Sequence, residues 1–202
     1  MDLRKFTFVN RLGIPDEIKI STVCSAEYAF YPWKSSELLA QAIYSRHIDL
    51  SDRRILELGA GTGLCGIAAL NNNAKNVIFT DIADPRIERN LRKNCSMNNV
   101  SSFEFLPCDW NEIPNAVLEK SFDMILASDC LFESRVVVPF VETLSLLLYK
   151  NPSVEAFIAY EDRGSSVDLK RAFRKVGLSI CSHSSEEFDC IKYFLFKAMI
   201  AS

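Results

Sequence analysis

Residues Ile55 to Gly66 read ILELGAGTGLCG, an apolar segment that runs directly into a cluster of glycines. The apolar part, from Arg54 to Leu58, has the length and composition of a strand that is covered on both faces. After the glycines, apolar positions between 64 and 70 recur at helical spacing. The stretch therefore predicts a buried strand, a tight turn and the start of a helix. Glycines in such a turn let the backbone adopt positive φ and approach a ligand closely.

A second signal is the acid that follows the next predicted strand. Residues 76–80 predict that strand, and Asp81 follows it, 20 residues after Gly61. In a strand-helix-strand unit this spacing brings the carboxylate beside the glycine turn, where it can accept hydrogen bonds from ribose hydroxyls. Gly61, Gly63 and Gly66 also satisfy the dinucleotide-binding pattern, which on its own can mean only close packing of helix on strand. The combination predicts a nucleotide-type cofactor site.

Length and charge limit the kind of protein and partner. The chain has 202 residues, of which 49% are hydrophobic and 24% charged, enough for one full α/β domain and too little for two. Its formal net charge of −3 argues against a broad basic face that would hold nucleic acid. We expect the partner to be a small molecule or a basic protein segment.

Cysteine usage argues against a metal site and against a disulfide framework. The seven cysteines form no Cys-x-x-Cys pair, and only two histidines accompany them. We therefore expect small buried thiols that stay reduced inside the cell, in the cytoplasm or the nucleus. The N-terminus lacks the apolar core of a signal peptide, and no stretch approaches about 18 apolar residues, so we expect neither secretion nor a membrane span.

The order of predicted elements indicates the fold class. Alternating residues at 5–10 and 17–23, separated by a turn, predict an N-terminal β-hairpin. We expect residues 1–30 to form this extension and residues 31–202 to form the main domain as a single unit. In the main domain helices alternate with strands, so we expect an α/β fold. Further helices are predicted at 35–46, 85–97, 136–149 and 167–176, and further strands at 103–106, 122–127, 154–160, 178–183 and 190–199.

Polar residues predict how some of these elements begin and end. A serine, Ser35 or Ser36, is expected to cap the first of these helices, and Ser165 or Ser166 the last. The acidic residues Glu186, Glu187 and Asp189 are expected in a solvated loop between the last two strands.

The glycine motif resembles that of a known superfamily. Residues 57–63, Glu-Leu-Gly-Ala-Gly-Thr-Gly, resemble the first motif of the seven-strand methyltransferases that use S-adenosylmethionine, and Asp81 resembles their ribose-binding acid. The resemblance implies a Rossmann-like, doubly wound seven-stranded sheet whose last strand is reversed. It also implies that the cofactor is S-adenosylmethionine, bound by Glu57, Gly59, Ala60, Gly61, Gly63 and Asp81.

Two tryptophans extend the resemblance. Trp33, preceded by Tyr31 and Pro32, resembles the tryptophan that contacts the cofactor in family 16, the lysine and related protein methyltransferases. Asp109 and Trp110, after the strand at 103–106, are similar to the acid and the aromatic ring that meet the adenine in methyltransferases. Both tryptophans have a plainer interpretation, Trp33 as a core anchor and Trp110 as a half-buried ring beside a loop acid.

The end of the strand at 122–127 carries the expected reaction site. Ser128, Asp129 and Phe132 follow this strand, and the carboxyl end of a central strand faces the ligand crevice of an open α/β sheet. Asp129-x-x-Phe132 resembles the Asp-x-x-Tyr motif of family 16, with phenylalanine in place of tyrosine. The resemblance implies that Asp129 and Phe132 are catalytic and that Ser128 contacts the cofactor. The motif differs from the Asn-Pro-Pro-aromatic motif of enzymes that methylate DNA bases.

The implied function is transfer of a methyl group from S-adenosylmethionine to a nitrogen of a lysine or arginine side chain in a protein. From Tyr31 onward the chain looks most similar to the methyltransferase-like protein twenty-three group of family 16. Alternatives are a small-molecule or RNA methyltransferase, an NAD-dependent oxidoreductase, and a non-catalytic adaptor with the same fold. Glu57 argues against the oxidoreductase, because a small or apolar residue is more usual at that position of a nicotinamide site.

Three further acids are open to two interpretations. Glu133, Glu161 and Asp162 lie at the ends of neighbouring predicted strands. They can supply the second carboxylate that recognition of a guanidinium requires. Equally, they can form ion pairs with Arg135 or Arg163.

Overall fold

An N-terminal hairpin precedes the main sheet. The computed structural model describes residues 2–23, 28–163, 168–188 and 190–201. Strands β1 (Asp2–Val9) and β2 (Pro15–Thr22) pair antiparallel, which confirms the predicted hairpin. Gly13 in the connecting turn has φ +74°, a conformation that favours glycine.

A seven-stranded sheet forms the centre of the molecule. Its strands are β3 (Arg54–Leu58), β4 (Asn76–Asp81), β5 (Phe103–Pro107), β6 (Met124–Ser128), β7 (Glu155–Glu161), β8 (Leu178–Phe188) and β9 (Ile191–Ile200). The order across the sheet is β5-β4-β3-β6-β7-β9-β8. Strands β3 to β7 are mutually parallel, whereas β9 runs antiparallel to both β7 and β8. This arrangement confirms the doubly wound sheet with a reversed last strand.

Helices cover both faces of this sheet. They are α1 (Lys34–Tyr44), α2 (Leu64–Asn71), α3 (Pro85–Met97), α4 (Asn115–Leu118), α5 (Ser134–Lys150) and α6 (Leu169–Lys175), and a short 3-10 turn spans Tyr28–Phe30. Successive residues of β3 point to opposite faces, so Ile55 joins the core beneath α1 to α3 and Leu56 joins the core beneath α4 to α6. Both residues are fully buried, as expected for a parallel strand covered on two sides.

The hairpin belongs to the first of these two cores. Phe8, Ile18 and Ile20 are buried there together with residues of α1 to α3. The outer edge of β2 is covered by Asn94 of α3 and by Asn98, the residue that ends this helix one turn later. Asn94 accepts a hydrogen bond from the Ser21 amide at 2.8 Å, and Asn98 accepts one from the Lys19 amide at 2.8 Å. These side chains replace the strand partner that β2 lacks on this edge.

Two predicted element boundaries are wrong. Helix α1 begins at Lys34, and the extended residue Trp33 precedes it without a side-chain cap, so the predicted serine cap is absent. Ser36 instead lies inside the first turn, where its hydroxyl donates to the Trp33 carbonyl at 2.6 Å. Helix α6 is capped by Asp168, whose side chain accepts from the Arg171 amide at 3.0 Å. The predicted caps Ser165 and Ser166 lie outside the described residues.

The acidic stretch before the last strand is also not a loop where it is described. Strand β8 continues to Phe188, so Glu186 and Glu187 pair with Tyr193 and Lys192 of β9. The antiparallel ladder extends because backbone pairing satisfies amides that a loop would leave to water. Asp189 lies outside the described residues.

No helix in the described part of the chain combines the length and the apolar character that a membrane crossing requires.

Candidate functional site

A cavity of about 520 Å³ opens at the carboxyl ends of the central strands. The loops after β3, β4, β5 and β6 line it, together with the segment that enters α1. Strand β3 lies between β4 and β6, so the chain leaves the middle of the sheet in two directions at this point. Such a switch point is the usual ligand crevice of a doubly wound fold. The lining contains every predicted site residue except Gly63, namely Trp33, Glu57, Gly59, Ala60, Gly61, Asp81, Asp109, Trp110, Ser128, Asp129 and Phe132.

The glycine turn forms the floor of the cavity at positions where a side chain does not fit. A Cβ atom on Gly59 would lie 2.7 Å from the Cys130 sulfur, and one on Gly61 would lie 3.1 Å from the Ala29 carbonyl oxygen. Both glycines have positive φ, +65° and +51°. Gly63 precedes α2 with φ +83° and faces Leu91 of α3 rather than the cavity. The backbone is therefore exposed to a ligand along Gly59 to Gly61.

Asp81 stabilises this turn by a hydrogen bond to its backbone. Its Oδ2 accepts a hydrogen bond from the Gly61 amide at 2.7 Å, and its Oδ1 accepts one from the Ile82 amide at 2.8 Å. Burial raises the pKa of Asp81, and these two amide hydrogen bonds oppose that shift. Each carboxylate oxygen retains a further lone pair, so Asp81 can also accept from hydroxyls of a ligand in the cavity.

Glu57 is a buried acid, and one of its two carboxyl oxygens lacks a hydrogen-bond donor in the part of the chain that the structure describes. Its side chain lies in the wall of the cavity, and Oε2 has no hydrogen-bond partner among the described residues. Burial raises the pKa of Glu57 from 4.5 to about 8; a hydrogen bond from the Gly66 amide opposes the shift, and the charge of Asp81 adds to it. An unpaired buried carboxyl group is costly, and a cationic ligand would relieve that cost. The residue therefore fits a cofactor that carries positive charge.

Trp110 lines the cavity beside the first glycine of the turn. Atoms of its indole ring would lie 3.1 and 3.3 Å from a Cβ atom on Gly59, and its far side packs edge-on against Phe140 of α5. The indole Nε1 is buried and has no partner among the described residues. Asp109 beside it is exposed and accepts hydrogen bonds from Asn111. A planar base can stack on such a ring, and Asp109 can accept from its amino group.

Asp129 marks the other end of the cavity. It follows β6 with φ +56°, a left-handed conformation that is uncommon for aspartate and often found at functional sites. Its side chain is 5% exposed and forms a two-pronged ion pair with Arg163, with Nη1–Oδ1 and Nη2–Oδ2 distances of 2.9 and 2.7 Å. The Arg163 guanidinium also lies 5.4 Å from the centre of the Trp33 ring. Phe132, half-buried, lines the same end.

The three acids left open by the sequence take different places. Glu161 accepts from Arg163 Nη2 at 3.1 Å, and Glu133 pairs with Arg135. Glu133 and Glu161 therefore form ion pairs with the two arginines that the sequence analysis names as their candidate partners. Asp162 is exposed, and its amide donates to the Lys192 carbonyl at 2.7 Å.

Sequence reasoning missed several residues of the site. The partnership of Arg163 with Asp129 was not predicted, because only Glu133, Glu161 and Asp162 were considered as partners for the arginines. The prediction of buried thiols is wrong for Cys181 and Cys190, which are exposed. Three other cysteines, Cys65, Cys108 and Cys130, are buried as predicted but also line the cavity. Burial raises the pKa of all three thiols, so they act here as small apolar groups. Within the described ranges no cluster of three or more potential ligands gathers to hold a metal ion.

Comparison with known proteins agrees with this geometry. The model of a lysine methyltransferase family matches residues 13–176. Histone-arginine methyltransferase METTL23 of Xenopus laevis is 29% identical over 191 residues, which cover 92% of this chain and 81% of that protein. Calmodulin-lysine N-methyltransferase of Arabidopsis thaliana is 28% identical over 183 residues, which cover 88% of this chain and 57% of that protein.

A solved structure supports the fold assignment. The 16S rRNA N2 G1207 methyltransferase RsmC of T. Thermophilus, in complex with AdoMet and guanosine, superposes with a TM-score of 0.68 at 20% identity. The alignment covers 98% of this chain and 50% of that one, and it shows a shared fold. Because the family model covers most of the sequence, from the hairpin turn to the end of α6, this chain belongs to the lysine methyltransferase family.

Proposed function

We propose that this protein is an S-adenosylmethionine-dependent N-methyltransferase that modifies a lysine or arginine side chain of a protein substrate. The observation that carries the proposal is the arrangement of the cavity. One end has a glycine floor and two buried polar atoms without partners among the residues described, the acceptor Glu57 Oε2 and the donor Trp110 Nε1. Next to it lies an end where Asp129 already holds a cationic side chain. Membership of a lysine methyltransferase family argues against the alternative of an NAD-dependent oxidoreductase.

The glycine end is suited to the cofactor. The backbone from Gly59 to Gly61 would lie against it, Asp81 would accept from its ribose, and Glu57 would face its positive charge. Trp110 would stack on its adenine. When bound, S-adenosylmethionine supplies an activated methyl group on a positively charged sulfur.

The Asp129 end is suited to a cationic nucleophile. Asp129 would attract and orient the side chain of the substrate, and Phe132 and Trp33 would exclude water around it. A lysine must lose a proton before it attacks, which costs about 4 to 5 kcal/mol at neutral pH from an ordinary pKa near 10.4. A positive charge nearby and burial of the amine away from water lower that cost, since both disfavour the protonated amine. A guanidinium instead matches the two oxygens of Asp129 directly.

Related proteins support both types of acceptor. The Xenopus relative is named for histone arginine and the Arabidopsis relative for calmodulin lysine. The Asp129 end already accommodates a guanidinium, with two carboxylates and an aromatic ring around it. We therefore rank arginine first and lysine second.

Calorimetric titration with S-adenosylmethionine tests the cofactor assignment. We expect the wild type to bind and Gly61→Arg to lose binding, because a side chain at Gly61 would point past Ala29 and block the turn. Gly13→Arg is the control, since a Cβ atom there meets nothing within 4 Å. A wild-type protein that binds no S-adenosylmethionine would overturn the proposal.

Asp129→Asn tests the substrate side. The substitution keeps the volume of the side chain and removes its charge, so cofactor affinity should change by less than about threefold. Turnover of a protein acceptor should fall by about 100-fold, as for the loss of one positioned electrostatic contact. Transfer of radiolabelled methyl groups to proteins of a cell extract measures it. Equal losses of cofactor affinity and turnover would contradict a role of Asp129 at the substrate.

A further inference from the structure

Arg163 is held as a recognised ligand would be held. Its two terminal nitrogens meet the two oxygens of Asp129, and Nη2 also donates to Glu161 at 3.1 Å. Trp33 lies against the same guanidinium, with 5.4 Å between Cζ and the ring centre. Two carboxylates and an aromatic ring are the set of contacts by which proteins recognise an arginine.

The position of this contact is as informative as its chemistry. A smaller cavity of about 110 Å³ is lined by Trp33, Asp129, Phe132, Glu133 and Arg163. Trp33, Asp129 and Phe132 also line the large cavity, so the two spaces share one wall. Arg163 thus lies at the Asp129 end, in a space that adjoins the large cavity.

The ion pair also restricts what else can bind. The Asp129 side chain is 5% exposed, and a buried carboxylate without a cation is strongly unfavourable. Departure of Arg163 from this position is therefore costly unless another cation takes its place. A substrate guanidinium can restore both contacts to Asp129 and the contact to Glu161, whereas the single nitrogen of an ammonium cannot span them in the same way.

We propose that Arg163 is an intramolecular occupant of the acceptor site, which competes with the substrate for Asp129 and selects for an incoming guanidinium. The inference rests on the proposed function for the identity of the acceptor. It adds that the site is closed by the protein's own arginine until an arginine side chain of the substrate displaces it.

Binding of short peptides measures this competition without any need for methyl transfer. The probes are fluorescent glycine-rich peptides with one central arginine, or with lysine at that position, and anisotropy reports their binding. Arg163→Ala should bind the arginine peptide about tenfold more tightly than the wild type, if the native arginine fills the site about nine-tenths of the time. The lysine peptide should gain less. The gain should vanish in the double variant Arg163→Ala/Asp129→Asn.

Two further variants control for other effects. Arg174→Ala removes an arginine whose Nε donates to the Lys170 carbonyl within α6, and it should leave peptide affinity unchanged. Arg163→Gln retains a polar partner for Asp129 and should show the same direction of change if Arg163→Ala fails to fold. If the Arg163 variants bind the arginine peptide no more tightly than the wild type does, the inference is wrong. Arg163 would then only stabilise the position of Asp129. Titration of the same variants with S-adenosylmethionine tests the proposed function separately.

Discussion

Glu57 illustrates how one residue can be placed by a motif and yet behave unexpectedly. Its position two residues before the first glycine suggested a cofactor contact, and its side chain does line the cavity. The sequence did not reveal that the carboxyl group would be buried without a partner for Oε2. Because burial raises its pKa to about 8, Glu57 carries a proton at neutral pH in the free protein.

This shift predicts proton release on cofactor binding. A bound cation favours the carboxylate, so the wild type should release about one proton per S-adenosylmethionine at pH 6.5, and affinity should rise with pH up to about 8. Calorimetry in two buffers with different ionisation enthalpies measures the number of protons. Glu57→Gln has no such proton to lose. If this variant releases as many protons as the wild type, Glu57 does not face the charge of the cofactor.

The same shift makes the contribution of Glu57 to stability depend on pH in the free protein. Between the unfolded pKa of 4.5 and the folded pKa of about 8, the folded state binds more protons at Glu57 than the unfolded state does. The contribution of Glu57 to the free energy of unfolding is therefore fully present below pH 4.5 and is lost as pH rises through about 8.

Helix α3 shows what a single element contributes beyond its apolar face. The spacing of Ile87, Leu91 and Cys95 predicted this helix, and its observed bounds match the prediction. The role of its asparagines was not predictable from helical periodicity. Asn94 is fully buried, accepts from the Ser21 amide, and donates to the Thr62 carbonyl of the glycine turn at 2.9 Å. One amide side chain thus connects the hairpin, the helix and the glycine turn.

Asn94→Ala should therefore lower the free energy of unfolding by about 2 to 4 kcal/mol, since it leaves a buried amide and a buried carbonyl without partners. Asn98→Ala is the matched control on the same face, one turn later. Water reaches Asn98 and can replace its contacts to Lys19, so its loss should cost about 1 kcal/mol. Urea denaturation of both variants decides the comparison. Equal costs would mean that the bridge to Thr62 contributes nothing.

At the scale of the whole molecule, local pattern and fold contributed differently. Apolar segments and glycines were sufficient to place nearly every strand and helix. The doubly wound sheet with a reversed last strand followed from the resemblance to a family, because hydrophobic pattern does not determine which strands become neighbours. The order of the strands came from the structure. The pairing of Asp129 with Arg163 joins residues 34 positions apart at the ends of adjacent strands, so it required the folded sheet.

The predicted division into an extension of residues 1–30 and a main domain remains a prediction. The hairpin buries Phe8, Ile18 and Ile20 in the same core as α1 and α2, and its second strand lies within the range matched by the family model. Through these contacts the hairpin helps to hold α1 and α2, which border the site, in place.

The Asn94 bridge has a thermodynamic consequence for the hairpin. Thr62, Asn94 and Ser21 are connected in series, so a ligand that immobilises the glycine turn also protects β2 from opening. S-adenosylmethionine should therefore slow deuterium uptake at the Ser21 amide, which mass spectrometry of peptides from β2 can follow. Linkage makes the effect reciprocal: whatever loosens the hairpin weakens cofactor affinity by the same factor. A partner protein that binds β1 and β2 would thus change cofactor affinity without contacting the cofactor site.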